Sequence, residues 1–172
     1  METPPKRLII GCDHAAVDLK GKIVLLLSEL SIPTHDVGPF TSESVDYPDF
    51  AGQVARGVAS GEYDGGILLC GTGLGMSMAA NRFAGVRAAL CSDLFSAMMS
   101  RQHNDANVLV MGARVTGDAL ALEIVRTWLK TPFEGGRHQT RIDKFDQIPM
   151  GCCADSKETV GNETGATGKN RP

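Results

Sequence analysis

The sequence predicts a doubly wound α/β fold, in which helices cover both faces of one open sheet of five parallel strands. Five short apolar runs alternate with longer stretches whose apolar residues recur at helical spacing. Glycine is frequent, at 20 of 172 residues, which fits repeated tight turns between strands and helices. Strand and helix patterns that alternate in this way are typical of βαβ units, whose strands pair in parallel.

The first half of the chain contributes three strands and two helices. Residues 8–11 and 66–70 are short apolar runs and are predicted to be strands, and residues 32–37 are predicted to be a short second strand between them. A helix is predicted over residues 15–30, where Leu19, Ile23 and Leu27 fall on one face. Pro48 suits the first turn of a second helix, which we expect to run to about Ser60.

The second half repeats the alternation. Residues 86–91 and 108–112 are the fourth and fifth predicted strands, and a short helix ending near Arg82 precedes the fourth. Asp93 is the expected N-cap of a helix that ends near Asn104. A long helix over residues 117–130 stops before Pro132, and a charged segment follows over residues 134–148.

Composition narrows the class of protein. Apolar residues make up 42% and charged residues 22% of the chain, as in an ordinary soluble globular protein. The net charge of −3 argues against a nucleic-acid partner, because such partners usually require a basic excess. No apolar stretch approaches the roughly 20 residues of a membrane span, and the N-terminus is not of the secretory type. We therefore expect a cytoplasmic protein with no nucleic-acid or membrane partner, and leave an organellar share open.

Cysteine usage and the end of the chain complete this outline. There are five cysteines and no CxxC pair, so neither a disulfide framework nor a structural zinc site is expected. Residues 150–172 are rich in Gly, Thr, Asn and Lys and nearly free of large apolar side chains, which predicts a disordered tail. Residues 1–149 are expected to form a single domain.

Polar side chains follow four of the five predicted strands. Asp13 and His14 follow the first strand, Cys70 ends the third, Asp93 follows the fourth and Arg114 follows the fifth. In Rossmann-like sheets of this kind, ligands bind beyond the carboxyl ends of the strands. The agreement between topology and polar residues predicts a functional site at that edge.

A glycine-rich loop after the third strand has the sequence GTGLGMS, residues 71–77. Glycines between a strand and a helix allow backbone N–H groups to converge on an anion, although a tight turn alone also needs small residues. A dinucleotide fingerprint would need a third glycine where Met76 stands, and it would follow the first strand. The GK[ST] of a P-loop is also missing.

Several of these side chains have structural as well as functional interpretations. Most cysteines in apolar runs are core residues, and this is the expectation for Cys91. Cys70 differs, because a thiol beside converging N–H dipoles has a reason to ionise. Asp13 can be an N-cap, but Asp13 and His14 also lie at the same edge as Cys70, where they suit acid–base work or anion contact.

A third set of candidates lies later in the chain. The helix dipole favours a histidine such as His103 at the C-terminal end of a helix. The sequence pattern alone does not decide between this structural role and a catalytic one. Arg114, Arg137 and Arg141 are candidates for binding a phosphate, since guanidinium forks suit a dianion. Arg137 and Arg141 would share one face if their segment is helical, and a solvated salt-bridged face is the alternative.

Five separated motifs resemble those of the B-type ribose-5-phosphate isomerases. They are GCDH at residues 11–14, SVDYPDF at 44–50, CGTGLGMS at 70–77, GVRAAL at 85–90 and HNDAN at 103–107. The resemblance extends from about residue 7 to residue 148. It implies an aldose–ketose isomerase of the pentose phosphate pathway that interconverts ribose 5-phosphate and ribulose 5-phosphate without metal or nucleotide cofactor. It also implies a homodimer, or a pair of dimers, with sites shared between subunits.

The resemblance also implies roles for individual residues. Cys70 is the expected base, which moves a proton between C1 and C2 through a cis-enediolate, and Thr72 is an expected catalytic hydroxyl. His103 is expected to help open the sugar ring, and Asp13 to orient hydroxyls or the ring-opening proton path. The expected substrate contacts are the enediolate cradle of Gly71, Gly73, Gly75 and Ser77, the sugar contacts Tyr47 and Asn104, and the phosphate contacts His14, Arg114, Arg137 and Arg141, with His138 near them.

Two styles of base occur in the family, a Cys at position 70 or a Glu at position 76. This chain has Cys70 and Met76 and therefore resembles the Cys group.

Two other functions are weighed against the pentose phosphate reaction. One is the same chemistry on a hexose 6-phosphate, such as galactose or allose 6-phosphate. The other is a non-catalytic nucleotide-binding module, for which Asp36 is the candidate ribose ligand, although residues 11–14 are not the required turn.

Overall fold

Five parallel strands form one sheet in the order β2-β1-β3-β5-β4. The computed structural model describes residues 7–148 of the chain. The strands are β1 Leu8–Cys12, β2 Thr34–Asp36, β3 Gly65–Cys70, β4 Ala88–Leu90 and β5 Val108–Gly112. The helices are α1 Val17–Glu29, α2 Tyr47–Ala59, α3 Leu74–Ala80, α4 Leu94–Gln102, α5 Asp118–Lys130 and α6 Arg137–Ile142, followed by a 3-10 turn, Phe145–Gln147.

The helices lie on both faces of the sheet, which confirms the predicted doubly wound fold. On one face, α1, α4 and α5 pack against β1, β3 and β5 around the buried indole of Trp128. On the other face, α2 and α3 pack against the same three strands. Every residue of β1, β3 and β5 is buried, because these central strands are covered on both sides.

The edge strands are shorter than the sequence predicts. The predicted strand 86–91 reduces to β4, because Arg87 N–H donates to the Asn107 side chain (2.8 Å) before the ladder begins. The predicted strand 32–37 likewise reduces to β2, of three residues. Only one neighbouring strand fixes the ends of an edge strand, so local hydrogen bonds of this kind decide where pairing stops.

The predicted helix starting at residue 15 begins two residues later. Ala16 N–H donates to the Asp13 carbonyl (3.2 Å) and Ala15 N–H donates to the Asp13 carboxylate (2.9 Å), so residues 13–16 form a turn. Asp13 is therefore not the N-cap of α1, which is Ala16. Asp93 is the N-cap of α4 as predicted, and its carboxylate accepts from Ser96 N–H at 2.7 Å.

A single side chain covers part of the outer edge of β4. Asn81 donates its amide N–H to the Ala88 carbonyl and accepts from Ala88 N–H, both at 2.9 Å. Its amide thus pairs with Ala88 as a neighbouring strand would.

The chain path creates a crevice between the carboxyl ends of β1 and β3. From β1 the chain turns outward to β2, whereas from β3 it crosses in the opposite direction to β4. The loops after β1 and β3 therefore separate, and the gap between them is the usual ligand position in such sheets.

Within residues 7–148, no helix combines the length and the apolar character needed to cross a membrane. The predicted disordered tail, residues 150–172, lies outside the described residues, as do Cys152 and Cys153.

Candidate active site

Cys70 ends β3 at the crevice between β1 and β3. Side chains alternate along the strand, so Leu69 faces the layer of α1 and α5 while Cys70 faces the layer of α2 and α3. The thiol is only 5% exposed, and its sulfur accepts a hydrogen bond from Gly73 N–H at 3.0 Å. An N–H group directed at the sulfur stabilises a thiolate more than a thiol.

The glycine loop has this shape because side chains do not fit in it. Gly73 has φ +80°, and a Cβ there would lie 2.4 Å from Leu90 Cδ1. Gly112, at the end of β5, faces the loop from the other side, where a Cβ would lie 2.6 Å from the Thr72 carbonyl carbon. These close approaches hold Thr72 and the loop N–H groups beside the Cys70 sulfur.

Asp13 and His14 lie next to Cys70 on the neighbouring strand end. Asp13 N–H donates to the Leu69 carbonyl at 3.0 Å, and Asp13 is 8% exposed. The His14 Nδ1 accepts from Val45 N–H at 3.3 Å, which ties the loop after β1 to the segment before α2. Since that nitrogen accepts a hydrogen bond, the neutral ring presents Nε2–H as its donor.

Two further predicted residues pack directly on the glycine loop. A Cβ at Gly75 would lie 2.6 Å from Tyr47 Cζ, so the phenol ring rests on the start of α3. A Cβ at Gly71 would lie 3.5 Å from Arg114 Cδ, so the arginine stem lies over the loop and carries its charge to the same edge. Ten of the predicted residues thus form what we call the carboxyl-edge cluster: Asp13, His14, Tyr47, Cys70, Gly71, Thr72, Gly73, Gly75, Ser77 and Arg114.

The other five predicted residues lie at the opposite edge of the sheet. Helix α4 starts near the carboxyl end of β4 and returns antiparallel to the strands, so that its C-cap His103 lies near the start of β5. Glu134 N–H donates to the Gln102 carbonyl (3.1 Å), which places α6 at the same end. We call His103, Asn104, Arg137, His138 and Arg141 the amino-edge cluster.

Within one chain the two clusters are separated by the length of the central strands. In the β3–β5 pair, Gly66 is opposite Val108 and Cys70 is opposite Gly112. Four residues of strand correspond to roughly 13 Å. One copy of the chain therefore does not bring Cys70 and His103 together.

The amino-edge cluster is built around two stacked imidazoles. The rings of His103 and His138 are 4.2 Å apart between centroids and within 6° of parallel. Burial lowers the pKa of His138, and the charges of His103 and Arg137 lower it further, whereas Glu134 acts in the opposite direction. The neutral form of the His138 ring is therefore favoured.

Glu134 completes a trio with the two histidines whose donor atoms all lie within 4.8 Å of one another. Two imidazoles and a carboxylate are a common metal-binding set. The lone pairs of the imidazole nitrogens lie in the ring planes, however, and planes that are stacked and parallel do not direct them to one point. The trio as it stands is thus arranged for proton and charge interactions rather than for a cation.

The turn after α4 is fixed by an ionic network. Asp105, with φ +43°, pairs with Arg87 (3.0 Å) and with Arg101 (2.9 Å). Arg87 Nε also donates to the carbonyl of Asn104 at 3.0 Å. These contacts hold the backbone on which His103 and Asn104 are presented.

Sequence reasoning did not find Glu134, Arg87 or Asp105 as parts of a site. Arg87 and Asp105 lie within the motifs GVRAAL and HNDAN, so their position in those motifs was the available signal. Glu134 lies in a loop, and no local pattern indicates that this loop packs on the end of α4. The expectation that Cys91 is a core residue is confirmed, at 1% exposure.

Comparison with known proteins identifies the family of this chain. The Ribose/Galactose Isomerase family profile matches residues 8–145. The chain belongs to this family. Ribose-5-phosphate isomerase B of Escherichia coli K12 is 53% identical over 143 residues, which cover 83% of this chain and 96% of that protein.

Solved structures of family members have the same fold. Ribose-5-phosphate isomerase B of Clostridium thermocellum superposes with a TM-score of 0.82 at 52% identity, covering 83% of this chain and 96% of the other. The enzyme of Mycoplasma genitalium, solved with bound ribulose 5-phosphate, gives a TM-score of 0.79 at 43% identity, covering 82% and 94%. A ribose/galactose isomerase of this fold can therefore hold an open-chain pentulose phosphate.

Proposed function

We propose that this chain is an aldose–ketose isomerase that interconverts ribose 5-phosphate and ribulose 5-phosphate. The observation that carries the proposal is the Cys70 sulfur, held at the crevice with a backbone N–H donating to it at 3.0 Å. Relatives named for this reaction, at 53% and 52% identity, support the same substrate. The role in carbohydrate metabolism follows from the substrate.

Proton transfer is the chemical step in this proposal. The Cys70 thiolate takes the proton from C2 of the open-chain aldose, and the electron pair forms an enediolate between C1 and C2. The proton is returned at C1 while a proton moves from O2 to O1, so that aldose becomes ketose with no net loss of atoms or electrons. The N–H groups of the loop formed by residues 71–77 stabilise the enediolate oxygen, typically by a few kcal/mol for each donor, and Thr72 and Asp13 orient the hydroxyls.

The amino-edge cluster completes the site from a second copy of the chain. Arg137 and Arg141 lie four residues apart on α6 and suit a phosphate dianion, and His103 suits ring opening. A two-fold pair would place this cluster of one subunit against the carboxyl-edge cluster of the other, giving two equal sites. Apolar side chains available to such a partner are exposed on α3, at the end of β4 and at the start of α4: Leu74, Met78, Leu90, Leu94 and Phe95.

The cytoplasm is the compartment we propose. Among the described residues, Cys12, Cys70 and Cys91 are all free thiols. A base that acts as a thiolate needs a reducing environment to stay unoxidised. The proposed domain is residues 1–149, since the family match ends at residue 145.

Replacement of the base tests the proposal. C70A is expected to lower kcat for ribose 5-phosphate by about a thousandfold or more, while a pentitol 5-phosphate, which cannot isomerise, still binds in a titration. C12A is the matched control, because burial raises the pKa of Cys12 to about 12 and its side chain faces the opposite layer. Full activity of C70A would exclude Cys70 as the base. Faster turnover of galactose 6-phosphate or allose 6-phosphate than of ribose 5-phosphate by the wild-type protein would show that a hexose 6-phosphate is the preferred substrate.

A further inference from the structure

Glu134 lies at the nitrogen edge of the stacked histidine pair. Its Oε2 is 3.6 Å from His138 Nε2 and 3.9 Å from His103 Nε2. The carboxylate is half-exposed, on a loop tied to the end of α4 by the bond between Glu134 N–H and the Gln102 carbonyl. One carboxylate therefore faces two imidazoles, and the protonation of each ring decides which one it pairs with.

His138 does not need the charge of Glu134. Arg137 Nε donates to His138 Nε2 at 3.4 Å, so this nitrogen presents its lone pair, and the neutral ring carries its proton on Nδ1. A carboxylate oxygen and an accepting nitrogen form no hydrogen bond with each other. Burial of His138, which is 5% exposed, also favours the neutral ring.

His103 is left as the imidazole that pairs with Glu134. Other charged groups near the stack are Arg137 and Arg141 on α6, and Arg101 in the last turn of α4, which pairs with Asp105 at 2.9 Å. The two α6 guanidiniums disfavour a further positive charge. Among residues 7–148, Glu134 is the one carboxylate within 4.0 Å of a ring nitrogen of either histidine.

We propose that Glu134 is the charge partner that positions His103 to act as the acid in ring opening. The inference rests on the proposed isomerase function and deepens it. The proton of His103 passes to the ring oxygen of the furanose as the bond between that oxygen and C1 breaks, and the C1 hydroxyl proton leaves to solvent water. Glu134 is a positioning residue, since it contacts His103 and not the reacting atoms.

The chemistry of the two substrates separates ring opening from proton transfer at carbon. Ribose 5-phosphate is a furanose and must open before Cys70 can act. Ribulose 5-phosphate carries its phosphate on O5, so its C2 carbonyl has no free hydroxyl with which to close a five-membered ring. Exchange of its C1 hydrogen with solvent deuterium requires Cys70 and the loop, but no ring opening.

The test compares these two rates in E134Q. We expect the kcat for ribose 5-phosphate to fall by about tenfold, while deuterium exchange at C1 of ribulose 5-phosphate, followed by NMR, changes less than about twofold. E134D, which keeps the charge, should recover part of the rate.

E123Q is the matched control, because Glu123 is exposed on α5 and pairs only with Arg126 among the contacts of the described residues, at 3.4 Å. It should behave as wild type in both assays. An equal fall of both rates in E134Q, or no fall in either, would overturn the inference. If wild-type protein does not isomerise ribose 5-phosphate at all, the proposed function fails instead, and the two failures are thereby distinguished.

Discussion

The contact between Gly75 and Tyr47 depends on the absence of one methyl group. A Cβ at Gly75 would overlap the Tyr47 ring at 2.6–3.0 Å, and Tyr47 is 40% exposed, so the ring can move outward. The pair therefore couples the start of α3 to the start of α2 at the proposed sugar contact.

G75A is expected to raise KM for ribose 5-phosphate about tenfold, since a displacement of this size misplaces a substrate contact. Stability should change little, because the displaced ring enters solvent. G21A is the control, as a Cβ at Gly21 meets nothing within 4 Å. An unchanged KM in steady-state assays of G75A would show that Tyr47 does not contact the sugar.

The sequence predicts the location of a site residue where the fold class alone determines that location. Cys70, Asp13 and Arg114 each lie at the carboxyl end of a strand, and a parallel sheet brings such residues to one edge whatever the details of packing. The carboxylate next to His103 could not be predicted in this way. Glu134 is adjacent to it only because the loop after α5 packs on the end of α4, which is a tertiary contact without a local signature.

At the scale of elements, a buried ion pair joins α1 to the end of β2. Lys20 is 2% exposed, and its Nζ donates to both Asp36 carboxylate oxygens at 2.6 and 2.8 Å and to the Pro39 carbonyl at 2.9 Å. Asp36 in turn accepts from Gly38 N–H at 2.8 Å. Asp36 thus has a structural role here, which the nucleotide-binding interpretation did not anticipate.

K20M should lower the free energy of unfolding by about 3 kcal/mol, because it leaves Asp36 partly buried without its counter-charge. Urea unfolding at one fixed protein concentration measures this. K22M provides the comparison: Lys22 pairs with Asp118 on the surface, where solvent screens the charges, and near wild-type stability is expected. Equal effects of the two substitutions would contradict the importance of burial.

The predicted strand bounds are accurate for the central strand β5 and less accurate for the edge strands. The predicted bounds of β5 agree with the structure, because a fully buried apolar run has clear ends. Those of β2 and β4 do not: both edge strands are shorter than predicted, and the bond from Arg87 N–H to the Asn107 side chain precedes the start of β4. Arg137 and Arg141 do lie on one helix, which the sequence left conditional.

At the scale of the whole molecule, the separation of the two clusters leads us to propose that catalysis depends on assembly of two subunits. The length of β3 keeps Cys70 and His103 at opposite edges of each sheet. If each site takes one cluster from each subunit, variants defective in different clusters can complement each other.

Co-expressed C70A and H103A chains test this arrangement. Random pairing gives half mixed dimers, and each mixed dimer has one intact site, so about a quarter of wild-type activity is expected. Each variant alone provides the baseline, and C70A co-expressed with C70S should stay at that baseline. No recovery in the mixture would show that the two residues do not serve a shared site.

The Asn81 side chain, which pairs with Ala88 at the edge of β4, affects how molecules of this protein interact at high concentration. An edge strand offers unpaired N–H and C=O groups, and these are the groups that a foreign chain uses to extend a sheet into a fibril. Asn81 occupies both groups of Ala88, the first residue of a three-residue edge strand. The sheet therefore ends at a side chain of its own protein, which guards the chain against aggregation through β4 without adding a strand.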